Sequence, residues 1–300
     1  MIFVTSSKNL KVYMAELRIG TCSWKYDSWR GLVYSDGAKI NYLKEYSEKY
    51  DSVEIDQWFW SLFGEKKVSL PDPKVIEAYK LSVPGNFKFS VKLPNSISLT
   101  HFYKKNNSEP LKENPYFLSV ELYQQVMQLL DAFGDLLGPC MLQFEYLNKQ
   151  KMASQNDFLL KLGEFLNRIN DKQNFALEIR NPNYLNDKYF NFIAENEISH
   201  VFLQGYYMPP VFETYERYRD LIAGQAVIRL HGPDRQGIEK KTGGDWSRIV
   251  EAKDKELDKI VEIIRDMLSR EIDVYLNVNN HYEGSAPLTI EKIKKLLGIE

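Results

Sequence analysis

Cysteine is scarce in this chain of 300 residues: Cys22 and Cys140 are the only two, and they form neither a CxxC pair nor a disulfide framework. Such usage suits a reducing interior, so a cytoplasmic location is expected. Histidine is nearly as rare. His101, His200, His231 and His281 show no HxH or HExxH spacing, so no cofactor is expected. A divalent metal is the lesser alternative, with Glu54, Glu178, His231 and His281 its only candidate ligands. Neither sign of charge dominates. The 39 Lys+Arg against 41 Asp+Glu remove the global positive field that drives phosphate-backbone binding. No apolar run reaches membrane-spanning length, and residues 1–4 lack the length and basic flank of a signal peptide. A GxGxxG loop after the first strand and a GxSxG elbow are both missing, which argues against an open dinucleotide-binding sheet and against a serine nucleophile.

What the chain does have is repetition of one unit. Eight β-branched or aromatic runs occur at 17–22, 52–56, 87–93, 140–145, 175–180, 200–204, 226–231 and 273–279. Stretches with helical spacing separate them, the clearest at 40–49, 118–133, 156–169, 189–195, 256–268 and 290–297. Strands alternating with helices argue for βαβ units, and eight such units close into a single (β/α)₈ TIM barrel. The expected organisation is a short tail, 1–16, in which Met14 is an alternative start, followed by one barrel domain, 17–300. Long loops are expected after strands 3, 6 and 7, at 94–116, 205–224 and 232–249, opening on the C-terminal face where barrel enzymes place their chemistry.

Strand alternation sorts the side chains. In AVIRLHG, Arg229 and His231 share one face and Ile228 and Leu230 the other; in FALEIR, Glu178 and Arg180 oppose Leu177 and Ile179. Helices cover the outside, so the charged set points into the barrel mouth. The same parity joins Glu54 with Asp56, Ser90 with Lys92, Gln143 with Glu145, and Asn277 with Asn279. Arg180, Arg229 and Lys92 are candidates to hold an anionic or hydroxyl-rich substrate, and Glu54, Glu178 and His231 are candidate acids and bases. The plainer reading is a salt-bridge network plugging the barrel, a role that suits Asp56 and Asn277. A Schiff-base role for Lys92 needs a desolvated amine, whereas two carboxylate neighbours are expected to raise its pKa. Four of the five tryptophans follow the first two strands. Trp29 and Trp58 are expected to cap the barrel, and Trp24 to contact a ligand.

Seven segments taken in order then resemble the DUF72 (YecE-like) family: GTCSWKYDSWRG, YDSVEIDQWFW, FKFSVKLPNSISLTH, GPCMLQF, ALEIRNPNY, VIRLHG and YLNVNNHYEGSAP. The resemblance spans residues 18–297. It implies a (β/α)₈ barrel of no settled biochemical activity. Glu54, Lys92, His101, Gln143, Glu178, Arg180, Arg229, His231, Asn279 and Asn280 match its motifs. Ser23 stands where the family pattern has glycine, Asp56 and Trp60 where it has asparagine and tyrosine, and Glu145-Tyr146 where it has two prolines.

Two functions are therefore expected in competition. One is an acid/base enzyme for a small polar or anionic, sugar- or phosphate-like substrate, its hydrolase, isomerase or lyase class left open. Its catalytic set is Glu54, Glu178, His231 and Lys92; its binding set is Arg180, Arg229, Gln143, His101, Asn279, Asn280 and Trp24. This reading requires a deep mouth and a carboxylate of raised pKa. The other is a nucleic-acid-binding or endonuclease IV-like barrel, with Lys104, Lys105, Arg235, Lys240 and Lys241 as its phosphate track, or a non-catalytic binding protein.

Overall fold

The computed structural model describes residues 14–62, 67–104, 106, 108–169 and 174–299. Eight parallel strands close into a barrel in chain order: β1 (Leu17–Cys22), β2 (Ser52–Ile55), β3 (Lys88–Lys92), β4 (Leu137–Gln143), β5 (Phe175–Glu178), β6 (Ser199–Gly205), β7 (Gln225–Gly232) and β8 (Asp273–Val278), which pairs back onto β1. The helices between them are α1 (Tyr42–Ser47), α2 (Pro73–Lys80), α3 (Asn95–Ser98), α4 (Val120–Leu130), α5 (Gln155–Leu166), α6 (Asp187–Glu195), α7 (Val211–Tyr218), α8 (Arg235–Thr242), α9 (Asp254–Ser269) and α10 (Ala286–Leu297). Several begin at a polar cap that satisfies an orphan amide. The side chains of Asn41, Asp72, Ser119, Ser154 and Asn186 accept from main-chain N–H groups of α1, α2, α4, α5 and α6.

The alternation of the strands divides the core as expected. Leu177, Ile179, Ile228 and Leu230 face outward into the large cluster between sheet and helices. Inside, Met141, Ala176, Val201, Val227 and Tyr275 form a separate apolar plug. Met141, Val201 and Val227 each stabilise the fold by roughly 1.5–3 kcal/mol through burial. The polar residues of the same parity therefore sit one or two layers nearer the C-terminal mouth.

The connections differ from expectation in three places. After β6 the chain forms α7, not a long loop, because Pro209 and Pro210 stand just ahead of the helix, where a missing N–H costs nothing. After β7 comes α8, capped by Asp234, before the longer outer helix α9. Strand β4 starts at Leu137, ahead of the expected 140, since Gly138 runs extended with Phe89 O and the Tyr275 ring against its bare Cα. Within the expected tail, Glu16 is tied to the barrel: its N–H donates to Asp273 (2.7 Å) and its carbonyl accepts from Val274 (2.8 Å). Residues 1–13 lie outside the described residues. No helix among the described residues is long and apolar enough to cross a membrane.

Candidate functional site

Above the apolar plug, Asn277 Nδ2 donates to Ser90 Oγ (3.1 Å), both residues fully buried. The next layer is ionic. Arg229 donates from Nε and Nη2 to the two oxygens of Glu54 (2.8 and 2.7 Å), and from Nη1 to Glu178 Oε2 and Gln143 Oε1 (3.3 Å). Arg180 adds Nε to Glu178 Oε1 (2.9 Å) and Nη2 to Gln143 Oε1 (3.1 Å). Two cations and two carboxylates thus cancel, which is what allows Glu54, Glu178 and Arg229 to be essentially inaccessible. Burial alone would lift the Glu178 carboxyl; Arg229, Arg180 and Lys92 outweigh it and hold it down to about 2.

This network floors a cavity of about 810 Å³ at the C-terminal strand ends, lined by Cys22, Asp56, Phe59, Lys92, Asn279 and His231 among others. Lys92 ends β3 and places Nζ 3.8 Å from the centroid of the Phe59 ring, with no carboxylate within salt-bridge distance among the described residues. Burial and then the Arg229 charge lower its pKa to about 8, against the opposing pull of Glu54 and Glu178. The two carboxylates do pull it upward as expected, but burial and the Arg229 charge outweigh them. Asp56 is the carboxylate of raised pKa, pushed up by burial and then by Glu54. Of the two residues read as plug, Asn277 is fully buried against Ser90 and Asp56 lines the cavity. His231 stays neutral, its pKa driven far down by burial and by Arg229, Arg180 and Lys92. Its Nε2 lies 3.6 Å from Cys22 Sγ and its Nδ1 3.4 Å from Tyr206 Oη. The Cys22 thiol is kept protonated by burial and by Glu54.

Two glycines let the rim close over this layer. Gly205 (φ 140) and Gly232 (φ 75) approach so closely that a Cβ on Gly205 would meet the Gly232 carbonyl oxygen at 2.4 Å. Tyr206 follows, donating its N–H to Gly232 O (3.0 Å) and laying its ring under the Arg180 guanidinium at 4.8 Å. Farther out, the exposed rings of Trp60, Tyr103, Tyr146 and Tyr207 surround the opening, Trp60 and Tyr103 with centroids 5.9 Å apart.

Residues 18–300 match the family model for DUF72, a protein of unknown function. The chain belongs to the DUF72 family. Among solved structures it is similar to a DUF72 protein of Thermotoga maritima, TM1631, with TM-score 0.66 and 20% identity over 94% of this chain and 99% of that one. It is similar as well to the DUF72 protein EF0366 of Enterococcus faecalis, with TM-score 0.65 and 19% identity over 95% and 96% of the two chains. No curated protein matches it. At these identities the DUF72 structures establish the shared TIM-barrel fold.

Within the DUF72 barrel, Glu54, Lys92, Gln143, Glu178, Arg180, Arg229, His231 and Asn279 gather at the mouth as expected. Three others do not line the cavity. Ser23 has φ 79, so the chain turns out of strand parity there and Trp24 is buried edge-on against Tyr79 (5.0 Å). His101 bridges to Glu113 in the loop after β3, with Nδ1 2.9 Å from Thr100 Oγ1. Asn280 is buried, its Oδ1 accepting from Ala286 N (2.9 Å) at the start of α10. Trp29 and Trp58 pack into the core. Sequence reasoning missed Cys22, which strand parity could have found, and the loop aromatics Phe59, Tyr103, Tyr206 and Tyr207, which follow no period. The departures at Asp56, Trp60, Glu145 and Tyr146 all line this cavity.

Proposed function

We propose that this DUF72 protein is an enzyme that binds a small anionic, ring-bearing substrate in the mouth cavity and acts on it by proton transfer through Lys92 and Asp56. One observation carries the reading. Lys92 Nζ, Arg180 Nη1 and Asn279 Nδ2 line a common cavity and have no hydrogen-bond acceptor among the described residues. Donors left open above a neutralised floor fit the oxygens of a carboxylate or phosphate. Glu54 and Glu178 are reassigned: their oxygens are taken up by Arg229 and Arg180, so they build the floor of the cavity and do not act on the substrate. Arg229 is likewise a structural cation. The rim aromatics offer flat faces to a sugar or similar ring. The nucleic-acid alternative loses support. Arg235 is paired with Glu239 (2.9 Å) and Lys241 with Glu251 (2.6 Å), while Lys105 lies outside the described residues.

The test is thermal unfolding with inorganic phosphate, citrate or glucose 6-phosphate. Binding to the folded state is expected to raise Tm saturably by a few degrees, in about the range that ligand linkage gives. Arg180→Met is expected to lose most of that rise. An equal rise in the variant, or none in the wild type, refutes the reading.

A further inference from the structure

We infer that Lys92 is a nucleophile that forms a covalent imine with a carbonyl carbon of an anionic substrate, with Asp56 as its proton donor. This rests on the small-anion reading of the same cavity and adds its chemistry. Four features place an amine nucleophile there. Lys92 ends a barrel strand, so its stem is fixed while Nζ reaches the cavity. Its carboxylate neighbours are committed elsewhere, both oxygens of Glu54 to Arg229 and those of Glu178 to Arg229 and Arg180. The Phe59 face at 3.8 Å supports the nitrogen whenever it is cationic, as ammonium or as protonated imine. Asp56 shares the cavity and is shifted toward its neutral acid. With its pKa near 8, about a tenth of Lys92 is free amine at pH 7, on the order of a hundredfold more than for an ordinary lysine.

The step balances without an oxidant. The neutral Nζ lone pair attacks the carbonyl carbon and the C=O π pair moves onto oxygen. A proton passes from nitrogen to that oxygen, giving a neutral carbinolamine. Asp56 then donates its proton to the hydroxyl, the C–O pair leaves with water, and the nitrogen lone pair forms the C=N bond. The products are a protonated imine, one water and the Asp56 carboxylate. The imine draws electrons from the adjacent carbon, the chemistry needed for aldol-type cleavage, dehydration or isomerisation. Arg180 Nη1 and Asn279 Nδ2 suit a carboxylate or phosphate on the same molecule.

Glyoxylate, a small anionic aldehyde, is the probe. The full chain is incubated with glyoxylate and cyanoborohydride at pH 7 and read by intact mass and peptide mapping. One lysine adduct per chain is expected, at Lys92, formed at least roughly tenfold faster than at exposed lysines because of its free-amine fraction, with labelling of the N-terminal amine, of similar pKa, assigned separately by the peptide map. The single fast adduct is expected to vanish in Lys92→Met and in Lys92→Arg, which keeps the cation and removes the nucleophile. Thermal unfolding with glyoxylate and no reductant is run in parallel on the wild type and Lys92→Arg. If glyoxylate stabilises both proteins but no adduct maps to Lys92, the imine is overturned and the anion site stands. If it neither stabilises nor labels, both readings fall. Scattered slow labelling that is unchanged in Lys92→Arg also overturns the imine.

Discussion

Replacing Arg229 by Met tests the ionic floor most directly, because it removes the cation and keeps a similar length of apolar stem. In the wild type the Glu178 carboxyl sits at about 2 instead of its ordinary 4.5, which contributes roughly 3 kcal/mol of stability at neutral pH. The folded value lies below the unfolded one, so the contribution is complete above about pH 4.5 and fades as the pH falls toward 2. Without Arg229, Glu54 loses both of its guanidinium hydrogen bonds and keeps only the weak one from Cys22 Sγ (3.6 Å), while Glu178 keeps Arg180 alone. Stranding buried carboxylates in this way costs about 3–5 kcal/mol. The sign of the pH dependence also reverses. An unpaired buried carboxylate has a folded pKa above its unfolded one, so acid now stabilises the variant. Urea unfolding followed by tryptophan fluorescence at pH 7, 6, 5 and 4 should therefore give a deficit of about 3–5 kcal/mol at pH 7 that narrows toward pH 4. Adding Glu54→Gln to Arg229→Met should recover part of the loss, since one stranded charge is gone. A deficit below about 1 kcal/mol, or one that widens in acid, would refute the buried ion-pair account.

Three further outcomes follow from particular residues. Ser23 holds φ 79, a conformation that costs a side-chain-bearing residue about 1–2 kcal/mol, partly offset by the greater unfolded-state freedom of glycine. Ser23→Gly should thus raise stability by up to about 1 kcal/mol in urea titrations, and a drop would contradict the strain. Trp60→Ala and Tyr207→Ala remove side chains 61% and 94% exposed, so unfolding free energy should change by less than about 0.5 kcal/mol while the ligand-induced Tm rise shrinks. Reductive ¹³C-methylation followed by NMR titration should find one lysine resonance moving near pH 8, missing in Lys92→Arg; a set titrating wholly above 10 would show that Lys92 is not desolvated.

Strand parity carried most of the fold and half of the site. Arg229, Glu178 and Glu54 are legible at the mouth because a two-residue period leaves charged side chains only the barrel interior once Ile228, Leu230, Leu177 and Ile179 claim the outer face. Parity ends where the strand ends. Beyond Ser23 a left-handed residue swings Trp24 into the core, and beyond Gly205 the turn at Tyr206 brings a ring back over Arg180 and His231. Helix α7 was hidden by two prolines that read as breakers but sit at its start. The roles of the charges were the least legible part. They depend on which carboxylate Arg229 selects, a choice made by strand register across the barrel and not by neighbours in the chain.

That choice also separates building charges from reacting ones. A lysine placed beside two free carboxylates would be an ordinary, fully protonated cation. Arg229 has a planar fork that can engage Glu54 with two parallel bonds and still reach Glu178 and Gln143, which lysine's single point charge could not do. Lys92 still feels the pull of both carboxylates, but burial and the Arg229 charge outweigh it, and its ammonium is disfavoured. Asp56 is pushed the opposite way by burial and by Glu54. The two groups thereby move toward each other on the pH scale, the lysine toward free amine and the aspartate toward free acid. This is the pairing that the proposed carbinolamine formation and dehydration would use, and it comes from an arginine in the floor and a lysine on the wall.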